Sequence, residues 1–85
     1  MSYEMLIVSQ DRCYQTENLE MVIAPEVNSE GKTGRYEILS HSEYCLGVYE
    51  NFELAKAVMR DFQKAWLNDV YLYFMPTNSQ TIMRL

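Results

Sequence analysis

The chain has 85 residues and a formal net charge of −5, twelve acidic side chains standing against seven basic ones. That length supports one domain around one modest core, and a hydrophobic fraction of 48% lies far from a disordered composition. The cations Arg12, Lys32, Arg35, Lys56, Arg60, Lys64 and Arg84 are scattered, so no basic patch is available for direct nucleic-acid binding.

Along the chain, "YEMLIVS" from Tyr3 to Ser9 is rich in β-formers, and its unbroken Met5-Leu6-Ile7-Val8 run predicts a central strand buried on both faces. "SQDR" turns the chain, with Asp11 as the turn former, and "CYQ" extends a short hairpin. Leu19 to Ala24 alternates, with Leu19, Met21 and Ile23 on one face. Pro25 then ends that strand or confines it to an edge. "NSEGKTG", Asn28 to Gly34, is predicted as a loop from its turn-forming composition.

Two strands follow, "RYEILS" and "YCLGVYE". A three-residue tip of His41-Ser42-Glu43 pairs Ser40 with Tyr44, Ile38 with Leu46 and Tyr36 with Val48, which gathers the apolar residues on one face. From Asn51 the period becomes helical. Asn51 is the expected cap and Glu53 suits the first turn. Leu54, Ala55, Val58, Phe62, Ala65 and Trp66 form the buried stripe, and the helix is expected to end near Asn68-Asp69. "VYLYFM", Val70 to Met75, is a last strand, and "TNSQTIMRL" is expected to fray unless Ile82 and Met83 dock. The order predicts an α+β domain: an antiparallel four-stranded meander, one helix packed on the sheet, and a C-terminal strand.

Chemistry-bearing patterns are sparse. Cys13 and Cys45 show no metal-ligand or redox spacing. The N-terminal segment has neither a basic leader nor an apolar run of membrane-spanning length. Both features point to a cytoplasmic protein with two free thiols, a Cys13–Cys45 disulfide being the alternative in an oxidising compartment. His41 lies four residues from Cys45, but the expected hairpin puts the histidine in the tip and the cysteine inside the strand. A buried structural cysteine is the better reading of Cys45 than a nucleophile. Glu17, Glu20, Glu26 and Glu30 lack EF-hand spacing and read as a solvated acidic face. Gly31 and Gly34 bracket "KT" without the full phosphate-loop pattern, and a strand follows in place of a helix. No pair among the twelve acids is singled out for acid–base work. Neither a catalytic residue, a metal site nor a cofactor is expected.

"LIVSQD" at residues 6–11 and "LGVYENFELAKAVM" at 46–59 resemble segments of a group of short proteins from Firmicute bacteria and their phages. "ENLEMVIA" is similar to the second strand of that group. The resemblance covers about half of the chain, in structural motifs, and implies an architecture and a bacterial or prophage setting. The "VYLYFM" segment is an addition to that pattern.

The surplus of aromatic, β-prone sequence over candidate catalytic groups points to a non-enzymatic interaction module that self-associates, with a dimer as the expected partner state. One alternative is an acidic phage-encoded inhibitor of a host nucleic-acid-handling or defence enzyme, presenting acids to a basic protein partner. A weaker one is a small-ligand module walled by Tyr and Trp. In the last strand both faces are apolar. Because tyrosine hydroxyls tolerate a wet rim, Tyr71, Tyr73 and Met75 are the expected interface. The expected core is Leu6, Val8, Ile38, Leu46, Val58, Phe62, Trp66, Leu72 and Phe74.

Overall fold

The computed structural model describes residues 5–17, 20–40 and 43–84. Tyr3, Leu19, His41 and Ser42, each assigned a place in the expected elements, lie outside the described residues. The fold is α+β, but the four-stranded meander is not what forms. The described residues form two three-stranded sheets, ordered β2-β1-β6 and β3-β4-β5. The strands are β1 (Leu6–Val8), β2 (Gln15–Thr16), β3 (Met21–Asn28), β4 (Gly31–Ser40), β5 (Tyr44–Tyr49) and β6 (Leu72–Phe74). The helices are α1 (Phe52–Leu67) and a short α2 (Asn78–Arg84).

The apolar β1 is the central strand of the first sheet. It pairs antiparallel with β2, Ile7 opposite Thr16, and parallel with β6, Ile7 opposite Tyr73. The β1–β2 turn is tied by side chains. The buried Ser9 hydroxyl donates to Asp11 Oδ1 at 2.7 Å, the Cys13 N–H donates to the same oxygen at 2.9 Å, and the Tyr14 N–H donates to Ser9 Oγ at 3.0 Å. These bonds hold Arg12 at φ 67°, a left-handed conformation uncommon outside glycine and Asn/Asp.

In the second sheet, the segment expected as a loop is mostly strand. Asn28 pairs with Gly31 across a two-residue turn of Ser29 and Glu30, and Asn28 Oδ1 accepts the Glu30 N–H at 2.8 Å. Gly31 (φ 112°) and Gly34 (φ 92°) supply backbone that other residues rarely adopt. The composition is polar because this end of the hairpin stands in solvent and buries neither face. Strand β3 runs through Pro25 as an edge strand, with a register shift between Pro25 and Val27. There Glu26 Oε1 takes bonds from Thr33 Oγ1 at 2.8 Å and Arg35 Nε at 2.8 Å.

The β4–β5 register agrees with expectation only near the tip, where Ser40 faces Tyr44 and Leu39 faces Cys45. A bulge between Ile38 and Leu39 then makes Ile38 face Gly47 and Tyr36 face Tyr49. The extra residue turns both Leu46 and Tyr49 inward, and both are fully buried.

Helix α1 starts where Asn51 Oδ1 accepts the Leu54 N–H at 2.9 Å, with Glu53 in its first turn and Lys64 in its last. It buries Leu54, Ala55, Val58 and Phe62. Trp66, expected in the core, is 45% exposed. The smaller Ala65, packed on the core's margin, takes the inward position of the last turn. The helix closes with the Asp69 N–H donating to Trp66 O and the Val70 N–H to Ala65 O, a Schellman arrangement with Asp69 at φ 58°. The C-terminal segment forms α2 without docking Ile82 or Met83, which stay exposed. A reciprocal cap holds it: Thr77 Oγ1 accepts the Gln80 N–H at 3.1 Å and Gln80 Oε1 accepts the Thr77 N–H at 3.0 Å.

The core joins both sheets to α1. Met5, Ile7, Ile38, Leu46, Tyr49, Leu54, Ala55, Val58, Phe62, Tyr73 and Met75 form one buried cluster. Val8 is also buried and Leu6 half-buried.

Candidate functional site: the open edge of the last strand

The parallel pairing of β6 with β1 decides which of its two apolar faces is inside. Tyr73 and Met75 lie with Ile7 and Met5 against α1 and are buried, so neither is available to a partner. Leu72 and Phe74, expected in the core, are 40% and 47% exposed. They share the outer face with Leu6 and Val8, their partners in the parallel register. The expected assignment of faces is therefore reversed. The reason is chemical: α1 offers the tyrosine a partner inside. The Tyr73 hydroxyl donates to Asp61 Oδ2 at 2.6 Å, and its ring meets Phe62 edge-on at 5.5 Å. Tyr71, just before the strand, is exposed.

Among the described residues four strands lie at sheet edges, and of these β5 is covered, β3 is interrupted and β2 is very short. The outer edge of β5 is taken up by two residues from elsewhere, Gln10 through its backbone and side chain and Asn78 through its side chain. The Gln10 N–H donates to Leu46 O at 2.6 Å, Gln10 Oε1 accepts the Val48 N–H at 3.0 Å, and Asn78 Nδ2 donates to Val48 O at 3.0 Å. Strand β3 carries Pro25 and the register shift, both of which blunt an edge. Strand β2 has two residues. Strand β6 keeps an uncovered edge among the described residues, and its outward side chains are leucine and phenylalanine.

Sequence reasoning missed Gln10, Asn78 and Arg12, because no local pattern marks a side chain that bridges distant backbone. Gln10 also donates from Nε2 to Pro76 O at 3.2 Å, which the Tyr49 hydroxyl bonds too at 2.8 Å. These bonds clamp β1, β5 and the residues after β6 together. Arg12 donates from Nη1 to Ser9 O and to Met75 O at 3.0 and 3.1 Å. Its guanidinium lies 4.9 Å from the Phe74 ring centroid, so a cation caps the C-terminal end of β6. Asp69 stands before its N-terminal end.

The remaining candidates do not converge. Among the described residues no group of three His, Cys, Asp or Glu side chains is placed to hold a metal, and no helix is long and apolar enough to cross a membrane. Cys13 and Cys45 are both free and exposed, so Cys45 is not the buried cysteine expected. Partial burial of its sulfur and the nearby Glu37 carboxylate push the Cys45 thiol above its ordinary value, which disfavours the thiolate a nucleophile needs. A cavity of about 170 Å³ between α1 and α2 is lined by Val58, Arg60, Asp61, Lys64, Pro76 and Thr81, among others. The Asp61 carboxylate at its wall is already bonded by Tyr73.

The fold and this surface define a small α+β protein in which, among the described residues, the apolar edge at β6 is uncovered. Comparison with protein-family models, with curated proteins and with solved structures returns no match for this chain.

Proposed function

We propose that the protein is a non-enzymatic interaction module that self-associates through β6. The observation that carries this reading is the exposure of Leu72 and Phe74 on an edge strand that nothing else in the described chain covers. An edge of this kind is a template for another strand. At ~150–250 Å² per fully buried aromatic, the exposed fractions of Trp66, Tyr71 and Phe74 leave on the order of 300 Å² of aromatic surface in this segment. That is below the ~800 Å² per partner of a standard interface, so the dimer is expected to be weak, with a dissociation constant in the micromolar range or above.

Sedimentation over a range from micromolar to millimolar protein tests this. The mass rises toward a dimer, and Phe74→Glu shifts the midpoint to higher concentration at least tenfold, whereas Val27→Glu on the solvent-exposed hairpin leaves it in place. A monomer throughout the range would sink the proposal. Salt separates self-association from capture of a basic partner: two chains of −5 charge repel less as salt screens them, so the dimer tightens, whereas binding to a basic surface weakens.

A further inference from the structure

Resting on that reading, we infer that the partner strand is β6 of a second copy, running antiparallel, with Leu72 of each protomer opposite Phe74 of its partner and Tyr73 on the two-fold axis. The backbone hydrogen bonds select this register. Strand β6 uses Tyr71 O to accept from Leu6 N–H, and the Met75 N–H donates to Val8 O, at 2.8 and 2.9 Å. Odd-numbered residues therefore point their polar backbone groups at β1. By the alternation of a strand, Leu72 and Phe74 point theirs at the open edge. That gives four free groups, two N–H and two C=O.

The stretch of free groups ends at both sides. The Val70 N–H is committed to Ala65 O in the helix cap. Pro76 has no N–H, and its carbonyl is taken by Tyr49 and Gln10. An incoming strand thus meets two usable residues spaced i and i+2, and β6 presents that same pattern. Antiparallel pairing of Leu72 with Phe74 of the partner joins all four groups of each copy in four bonds. The next position sets Val70 against Pro76 of the partner, where neither has an N–H to offer, so the ladder stops without leaving a broken bond. A register centred on Leu72 instead would set Phe74 against Val70 and lose the bond that the Val70 N–H cannot make.

Side chains and charge agree with the same symmetry. Each Leu72 side chain meets a Phe74 ring on the outer face. Antiparallel reversal also sets the end of β6 capped by Arg12 toward the end preceded by Asp69, opposite charges in both copies. The two are the non-glycine residues with positive φ among those described. The result is a continuous six-stranded sheet, β2-β1-β6-β6-β1-β2.

Cysteine cross-linking tests the register in a Cys13→Ser, Cys45→Ser background. Residues directly opposed in a hydrogen-bonded antiparallel pair lie ~5.5 Å apart at Cα, within disulfide range. Two copies of the same position, Leu72 to Leu72, lie roughly 8–9 Å apart given a rise of ~3.4 Å per residue, which is outside it. Leu72→Cys mixed with Phe74→Cys is therefore expected to give at least five times the disulfide dimer of either variant alone. Dominant cross-linking of Leu72→Cys to itself would overturn this register. So would an absence of cross-links in a protein that still sediments as a dimer, and in both cases the self-association reading would stand. A monomer by sedimentation would overturn both. In the unmodified protein, amide exchange at Leu72 and Phe74 slows at least tenfold between dilute and concentrated samples. Unchanged exchange at both amides while the mass doubles would also overturn the inference.

Discussion

Replacing Gly47 by alanine tests how tightly the second sheet is clamped to the rest of the molecule. A Cβ at position 47 would stand 3.0 Å from Tyr49 Oη, 3.1 Å from Tyr49 Cε2 and 3.2 Å from Gln10 Cβ. These neighbours have little room to yield. The Tyr49 ring is fully buried, and its hydroxyl donates to Pro76 O at 2.8 Å. Gln10 is fastened by its own N–H and by both ends of its amide to Leu46, Val48 and Pro76. An overpacked methyl in such a place costs about 2 kcal/mol, within the usual range of 1–3. For a domain of this size that lowers Tm by roughly 8–16 °C. Urea denaturation followed by far-ultraviolet circular dichroism measures the change, which should appear in the midpoint with the slope unchanged. A double-mutant cycle locates the cause. Tyr49→Phe alone loses a buried hydrogen bond, about 1 kcal/mol. It also removes the nearest atom, so Gly47→Ala costs less in that background, with a coupling of at least ~0.5 kcal/mol. A change under ~0.5 kcal/mol for Gly47→Ala, or strict additivity with Tyr49→Phe, would refute the close approach on which this reasoning depends.

Asp69→Gly removes the left-handed strain at the end of α1 (φ 58°) and is expected to stabilise the fold by about 1 kcal/mol; a loss of stability in the same urea titration would count against the cap. Hydrogen bonds from Ser9 and then from the Cys13 backbone hold the Asp11 carboxyl below the ordinary aspartate range. With the folded-state value depressed, its contribution is present above about pH 4 and disappears as pH falls through the lower folded value. Asp11→Asn should therefore flatten the loss of stability between pH 5 and pH 2, and identical acid limbs for both proteins would exclude the effect. The Cys45 thiol, raised by partial burial and by Glu37, is expected to react with iodoacetamide at pH 8 more slowly than an ordinary exposed thiol. Glu37→Gln should speed that reaction, and an unchanged rate would remove the carboxylate from the account.

Helix α1 and its cap were legible because their causes are local. An asparagine at the start, an acid in the first turn and apolar residues at helical spacing all act within a few residues of one another. The central position of β1 was legible for a similar reason, since an unbroken apolar run must be covered on both sides. The hairpin from Asn28 to Gly34 was not legible. Its polar residues look like a loop, yet backbone pairing alone holds strands that bury neither face. The β4–β5 bulge was also hidden: one extra residue changes the face of everything beyond it, and no residue type marks the site.

Strand β6 shows where local reasoning ends. A strand within Val70 to Met75 was legible, because its residue types favour one and the helix before it delivers it back to the core. Only Leu72–Phe74 forms it, since the Val70 N–H is spent on the helix cap. Both of its faces are apolar, so periodicity could not choose between them. The choice was made by contacts distant in sequence: parallel pairing with β1, the Phe62 ring against Tyr73, and an Asp61 carboxylate that lets a tyrosine hydroxyl sit inside. The chain by itself determined that a hydrophobic strand would follow the helix and that one side of it would lack cover. Only the tertiary structure decided that this side carries Leu72 and Phe74, because a buried hydroxyl is tolerable where another element supplies its hydrogen-bond partner.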